Sequence, residues 1–358
     1  NGEIYLFVKK SKVLNLFKKK NISKIKFIDE NKISKYLYKL NCKKLITDRL
    51  SCCLAFEKIL NSKINISLSN DPIYNMKAIK NNIEIKNIIK SHIFDGVAVI
   101  KFLHWIKNFK GNLTELDAEK KLEFFRRKNK NYLYPSFNTI SASGPNAAII
   151  HYRATNLSNR IIKKDEIFLC DSGGQYKYGT TDVTRTISLK NQRQLIKNIF
   201  TYVLKGHIAV VNSNLKKIKS AEKLDSLARK FLKKKKLDYP HGTGHGVGFF
   251  LNVHEGPVAI SKGYKMILQP GHVMSNEPGY YKKDKFGIRI ENMLYIKKIK
   301  KNIFFENLTM VPIEKELINF RLLNKEEKNY LINYNFKIYA NVEKYLNYKE
   351  KFWLLSQF

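Results

Sequence analysis

Ile167-Phe168-Leu169-Cys170-Asp171-Ser172-Gly173-Gly174-Gln175-Tyr176 and, just beyond it, Gly179-Thr180-Thr181-Asp182-Val183-Thr184-Arg185-Thr186 form the stretch that decides the fold. The first four residues make an apolar run of strand length, and Asp171 follows where a strand interior is expected. A carboxylate there is costly unless it is paired or bound to a cation. Asp182 stands eleven residues later, after Gly173-Gly174 and Gly179. That spacing suits a hairpin that returns to bring both acids to one place.

Working outward, the same situation recurs. Glu291 lies inside the apolar run 288–296, and Glu277 precedes Pro278-Gly279 at the end of the run 272–275. Acids are scarce in this chain, 30 against 67 Lys and Arg, so four in buried-looking places call for a reason. Gathered together they would repel one another unless multivalent cations sit among them. His245, in Gly242-Thr243-Gly244-His245-Gly246-Val247-Gly248, offers a nitrogen ligand. Four carboxylates and one imidazole are too many for a single catalytic zinc. They suit two hard-to-borderline divalent ions, Mn²⁺ first, with Co²⁺, Fe²⁺ or Zn²⁺ as alternatives. Two ions about 3.5–4 Å apart can hold a bridging hydroxide as nucleophile and polarise a scissile carbonyl. Any one of these residues alone reads as well as an ion-pair member or a structural histidine. Five such positions together do not, because acids are so seldom buried without a partner.

The surrounding texture is α+β. From 139 to 296, short strand-like runs (147–151, 167–171, 184–188, 272–275, 288–296) are punctuated by Gly and Pro, with helical stretches at 191–211 and 221–232. This pattern predicts a largely antiparallel sheet flanked by helices. Apolar residues at helical spacing predict one or two long helices over 77–109 and another over 114–127, capped by Thr114. Residues 1–77 read as the remnant of an α/β unit. Its apolar runs fall at 4–8, 25–28 and 44–47, with a helix-like stretch at 51–60 and a turn or linker at 67–74. From Leu317 onward the tail predicts two helices, with Asn324 as a cap. The expected divisions are 1–77, 78–305 and 306–358.

Composition limits the partners. A formal net charge of +37 over 358 residues raises the question of a polyanion. The excess is mostly Lys, spread over nearly every surface-like stretch, with modest runs at 18–20 and 233–236. Nucleic-acid sites cluster Arg with interleaved aromatics, so a nucleic-acid partner is not expected. The four cysteines show no paired spacing, which suits a reducing compartment. No secretory signal appears in the first twenty residues, and the apolar run at 93–106 is too short and too interrupted to span a bilayer. A cytoplasmic protein without a membrane partner is expected. The chain opens at Asn1, mid-pattern, so its natural N-terminus is expected to lie upstream.

With the two halves of the opening stretch, four further motifs share one order: His241-Gly242-Thr243-Gly244-His245-Gly246-Val247-Gly248; Val253-His254-Glu255-Gly256-Pro257; Asn276-Glu277-Pro278-Gly279-Tyr280; and Gly287-Ile288-Arg289-Ile290-Glu291-Asn292. This set resembles that of the Xaa-Pro aminopeptidases (aminopeptidase P), which belong to the pita-bread metallopeptidases. The likeness covers roughly 78–358, including a tail from Leu308-Thr309-Met310-Val311-Pro312 that is similar to the C-terminal extension of the long, cytosolic type. It implies the pita-bread fold, a pseudo-symmetric antiparallel sheet flanked by helices, preceded here by a partial creatinase-like α/β domain. It implies hydrolysis of the bond between an N-terminal residue and a penultimate proline, with peptides as partners. By the same resemblance Asp171 chelates one ion, His245 and Glu277 the other, and Asp182 and Glu291 bridge both. His254 matches the histidine near the tetrahedral intermediate, His241 and His151 match histidines of the substrate pocket, and Arg289 matches an arginine behind the metals. The family's long members carry two domains before the catalytic one, associated with dimer formation and the substrate entrance. Only about 77 residues precede it here, which weakens the expectation of a homodimer. The rivals are a prolidase restricted to Xaa-Pro dipeptides and a non-catalytic pita-bread binding module. The stretch 152–158 reads as a variable-looking loop with no assignment.

Overall fold

Residues 2–13, 25–60, 64–218 and 220–358 are described by the structure, a computed structural model; the Lys18–Lys20 run lies outside them. The chain separates into two compact units, Asn1–Asn75 and Met76–Phe358. In the first, β1 (Ile4–Phe7) pairs in parallel with β2 (Ile25–Ile28), and β3 (Lys44–Thr47) with β4 (Asn65–Leu68). Helix α1 (Ile33–Tyr38) follows β2, and α2 (Leu54–Ile59) links β3 to β4. Parallel neighbours need such a crossover, so this unit is the α/β piece that the alternating runs predict. The segment read as a turn or linker at 67–74 is instead the end of β4 and the start of α3 (Pro72–Ala78). Pro72 costs nothing at the first helical position, and the Asp71 carboxylate accepts from the Ile73 amide at 2.9 Å, so the turn residues open a helix.

In the second unit, α4 (Asn82–Asn108) is one unbroken helix of 27 residues. The Asn81 side chain accepts from the Glu84 amide while Glu84 accepts from the Asn81 amide, a reciprocal cap. Gly96 sits inside it because a side chain there would lie 2.5 Å from the carbonyl oxygen of Met310. Helix α5 (Glu115–Arg127) opens with the matching Thr114–Asp117 cap.

All strand pairs of this unit are antiparallel. After β5 (Tyr132–Pro135), β6 (Ile140–Ser143), β7 (Ile167–Ser172) and β10 (Val183–Ser188) form one sheet in the order β10-β7-β6. The small hairpin β8 (Gly174–Tyr176)–β9 (Gly179–Thr180) turns β7 back into β10, setting Asp171 opposite Thr184, with Asp182 one residue before β10. Helices α6 (Gln194–Val211) and α7 (Ala221–Lys233) follow, then the two-residue strands β11 (Gly244–His245) and β12 (Ala259–Ile260). A second sheet pairs β13 (Val273–Asn276), β16 (Asn292–Ile299) and β17 (Asn302–Asn307), and β14 (Gly279–Lys282) pairs with β15 (Phe286–Arg289).

Two strand expectations need correction. The run 147–151 is no strand: Gly144–Ala148 forms a 3₁₀ turn with Pro145 in its first positions, and proline has no N–H to give a ladder. The run 288–296 is two strands. The Ile290 amide turns to the Pro278 carbonyl and the Glu291 amide to that of Thr184, so the backbone changes partners at the acid. That second bond, 3.2 Å long, is what seats Glu291 beside β10.

Helices α8 (Lys325–Val342) and α9 (Tyr348–Ser356) close the unit, sharing one apolar core with α4 and α6 through Ile100, Phe200, Leu204, Ile338, Val342 and Leu354. Beneath them lies Arg185 of β10, fully buried and without a carboxylate partner. Its guanidinium donates to the carbonyls of Thr184, Glu291, Val311 and Pro312, to Asn292 Oδ1 and to the Tyr334 hydroxyl. Among the described residues no helix is long and apolar enough to cross a membrane, and all four cysteines are free.

Candidate metal centre

Asp171 leaves the end of β7, Asp182 precedes β10, His245 ends β11, Glu277 follows β13 and Glu291 lies between β15 and β16. The five come from separate parts of the sequence and meet on the floor of a cavity of about 790 Å³. Ligand atoms within 4.8 Å of one another form three groups: Asp171, Asp182 and Glu291; His245, Glu277 and Glu291; and Asp182, His245 and His254. Asp182 and Glu291 therefore each belong to one group with Asp171 and one with His245. Nε2 of His245 stands 3.5 Å from Asp182 and 3.4 Å from Glu277.

The local sequence explains these positions. Gly244 is needed beside β13, since a side chain there would lie 2.0 Å from the Ser275 carbonyl oxygen. The Ser275 hydroxyl meets the His245 amide at 2.9 Å and donates to Glu277 at 3.1 Å, coupling the two ligands. Nδ1 of His245 lies 3.0 Å from the Gly246 carbonyl, which leaves Nε2 aimed at the acids. Behind the site, Arg229 of α7 grips the carbonyls of Tyr239 and His241, while Asp225 accepts from the Thr243 hydroxyl at 2.7 Å. The glycine-rich stretch is thus fixed from beneath by a buried ion pair.

The electrostatics are those of a site built for cations. Asp182 and Glu291 are 3% and 2% exposed. Burial first, then the charges of neighbouring acids, pushes both well above the usual carboxylate range. Glu277 is raised as well, chiefly by loss of hydration. Among the described residues Arg289 is the one guanidinium that answers this charge directly, donating to Asp171 at 2.5 Å. Oδ1 of Asp171 and Oδ1 of Asp182 are buried and accept no hydrogen bond from any described residue. Buried oxygens of this kind are otherwise paired, so an orphan in each acid, within a set of carboxylates and an imidazole, fits divalent metal ions.

The three histidines outside the ligand set differ. Arg289 donates to the Tyr281 hydroxyl at 2.7 Å, so the tyrosine proton points to His241 Nε2, 2.9 Å away. His241 Nδ1–H then meets the Gly242 carbonyl at 2.7 Å. Both ring nitrogens are engaged, and burial lowers the pKa to about 4, so the ring is neutral and held in place. His254 faces the cavity with its ring centroid 3.9 Å from that of His245. Loss of hydration and then the His245 ring bring its pKa down to about 4. His151 also lines the cavity. Arg289 reaches Thr184 Oγ1 through Nε (3.1 Å), and that hydroxyl donates to Glu291 at 2.7 Å. The arginine thereby braces two of the acids.

Sequence reasoning missed several supports. Thr184, inside the opening stretch, and Tyr281, just after the Asn276–Tyr280 motif, carry no signal of their own as supports. Glu115, the first residue of α5, is the hub of the wall that carries His151. It is fully buried and accepts from the Ser143 amide (2.6 Å), the Asn146 side chain (3.1 Å), the Tyr152 hydroxyl (2.8 Å) and the Arg160 amide (3.0 Å). Glu115→Ala would leave those donors buried and unanswered, so a loss of about 2–4 kcal/mol in denaturant unfolding is expected, with Glu115→Gln losing less. Equal stability of wild type and Glu115→Ala would show the hub to be idle.

Comparison with known proteins gives the class. Residues 86–298 match the model of metallopeptidase family M24, and residues 302–357 match the C-terminal region of that peptidase family. The chain belongs to metallopeptidase family M24, and its fold is the pita-bread fold of that family. More particularly, it is 38% identical over 341 residues to a probable Xaa-Pro aminopeptidase P of Pyrenophora teres f. teres, covering 90% of this chain and 52% of that protein. The likeness to the probable Xaa-Pro aminopeptidase P of Sordaria macrospora is 42% over 320 residues, with 85% and 52% covered. Among solved structures, the X-prolyl aminopeptidase of Caenorhabditis elegans, described as a cytosolic enzyme with a di-nuclear active site, superimposes with a TM-score of 0.91. It is 31% identical, with 99% of this chain and 61% of that chain covered. The prolidase of Pyrococcus furiosus gives a TM-score of 0.72 at 26% identity, with 86% and 87% covered. The chain spans about half the length of the curated relatives it matches.

Proposed function

We propose that this chain is the catalytic part of an Xaa-Pro aminopeptidase that removes the residue preceding a penultimate proline from peptides. The observation that carries the reading is the convergence of Asp171, Asp182, His245, Glu277 and Glu291 on one cavity floor, with two carboxylate oxygens left unanswered. Support for the substrate class comes from the relatives named above. Asp171 with the two shared acids would hold one divalent ion, and His245 and Glu277 with the same shared acids the other. Mn²⁺ suits this oxygen-rich set best. When bound, the ions supply Lewis acidity and a nucleophile drawn from water at neutral pH.

The protein's own groups do the rest. Arg289 holds Asp171 in a direct ion pair and, through Thr184, orients Glu291. His254, neutral and facing the cavity, is placed to hydrogen-bond the carbonyl oxygen as charge develops there. His241, its nitrogens already taken, acts as wall rather than as a proton carrier. Hydrolysis adds water's oxygen to the carbonyl carbon and returns a proton to the proline nitrogen as the C–N bond breaks. A bond to proline has no N–H to recognise, so shape must select the ring.

The division expected from the sequence follows the same reading: a partial α/β domain, the catalytic domain and a C-terminal helical extension, in a cytoplasmic protein. A prolidase reading is favoured by the likeness to solved prolidases, that of Pyrococcus furiosus among them. Hydrolysis with Mn²⁺ present separates the readings: Ala-Pro-Ala should yield free alanine, and Ala-Pro should be the poorer substrate. Cleavage of Ala-Pro alone would establish the prolidase. Cleavage of neither, with no metal bound, would leave a binding module.

A further inference from the structure

Along the cavity wall at 151–154, exposure alternates. His151 and Arg153 are exposed, whereas Tyr152 and Ala154 are buried at 6% and 7%. Both His151 and Arg153 line the cavity. Their backbone is pinned from behind. The Tyr152 hydroxyl is held by Glu115 at 2.8 Å and by the Ser158 carbonyl at 2.8 Å, and Ser158 Oγ also reaches the Arg153 carbonyl at 3.4 Å. What this rigid support presents is a free guanidinium.

Two arginines line the cavity, and only one is committed. Arg289 is used up by Asp171, Tyr281 and Thr184. Arg153 forms no salt bridge and no side-chain hydrogen bond within the described residues, and the acid that senses it electrostatically is Glu119 of α5. A cation kept unpaired within a peptide-binding cavity complements an anion of the substrate. In a peptide cut after its first residue, the anion available is a carboxylate downstream of the proline, because the amino end is positive and the carbonyls are neutral.

We infer that Arg153 is a specificity-determining residue that binds a carboxylate of the residue following the proline, either the free C-terminus of a tripeptide or an acidic side chain. This rests on the proposed aminopeptidase reading. It makes the protein selective for short or acidic peptides, because a guanidinium meets a carboxylate in a two-pronged geometry that an amide cannot match.

The test is steady-state kinetics with Mn²⁺ on Ala-Pro-Ala, Ala-Pro-Ala-amide and Ala-Pro-Glu-amide, for wild type, Arg153→Ala and Arg153→Lys. Arg153 is exposed, so folding does not depend on it. Wild type should show a KM for the free acid roughly 3- to 30-fold below that for the neutral amide, the span expected of an ion pair between exposed and partly desolvated. Arg153→Ala should bring the two KM values together, and Arg153→Lys should restore part of the difference. A low KM for Ala-Pro-Glu-amide in wild type assigns the site to side-chain carboxylates as well, and a high one to the C-terminus alone. If the ratio of acid to amide is the same in wild type and Arg153→Ala, the inference is overturned while the aminopeptidase stands. If wild type cleaves none of the three, the reading of function falls and the inference with it.

Discussion

Asp182→Ala is expected to strip the protein of metal and of activity together. Asp182 is shared between the group around Asp171 and the group around His245, so its removal takes a ligand from both ions at once. Hydrolysis of Ala-Pro-Ala should fall on the order of 10³-fold or more, equivalent to about 4 kcal/mol of barrier. Bound metal, measured by elemental analysis of protein purified and dialysed in Mn²⁺, should drop from two ions per chain to one or none. An Asp182→Ala protein that keeps both ions and full activity would remove the basis for this centre.

The second expected result concerns the protein without metal. Asp182 and Glu291 have their carboxyls pushed well above the usual range, and Glu277 is raised too, by burial and then by like charge. The folded state therefore holds these protons more tightly than the unfolded chain does. Their contribution to stability is complete below the ordinary carboxylate range near pH 4, and it is lost as pH rises through the raised folded values. Histidines pull the other way. His207, His241, His254 and His272 are lowered by burial, to between about 3 and about 4, and favour the fold as pH rises toward their ordinary range. The informative quantity is thus the difference between wild type and Asp182→Asn, in which the histidines cancel. In chelator, the asparagine variant should melt above wild type at pH 8, by several degrees, and the gap should shrink toward pH 5. With Mn²⁺ the order should invert, because metal binding stabilises only the chain that can bind it. A variant that melts below wild type in chelator at pH 8 would mean that the acids do not strain the empty fold.

Much of the site was legible in the sequence because its chemistry contradicts its surroundings. Asp171 after four apolar residues and Glu291 inside a strand-like run are conspicuous, and the glycines between Asp171 and Asp182 announce the return that the β8–β9 hairpin makes. What escaped was whatever depends on partners remote in sequence. Thr184 matters because it touches Glu291, 107 positions away. Glu115 matters because it gathers groups 28 to 45 positions downstream. The run 147–151 misled because its apolar residues outweighed Pro145, and the break at Ile290-Glu291 could not be seen because each amide there is claimed by a different distant carbonyl. His241 shows the limit from another side. Its place in the pocket was readable, but the occupation of both its nitrogens by Tyr281 and Gly242 was not.

Arg185 has a consequence for the order in which the molecule is made. Its guanidinium rests on carbonyls at 291, 311 and 312 and on a hydroxyl at 334, all more than a hundred residues downstream. While the ribosome is still short of those residues, the Arg185 guanidinium has only the adjacent Thr184 carbonyl among its native acceptors, and burial with so few acceptors is costly. The nascent strand that flanks Asp182 is therefore held back from its final seat until residues beyond 334 have emerged. Under the proposed function, a centre that assembles only then would be idle while the chain is being made, when peptide-cutting chemistry would stand closest to unfinished chains.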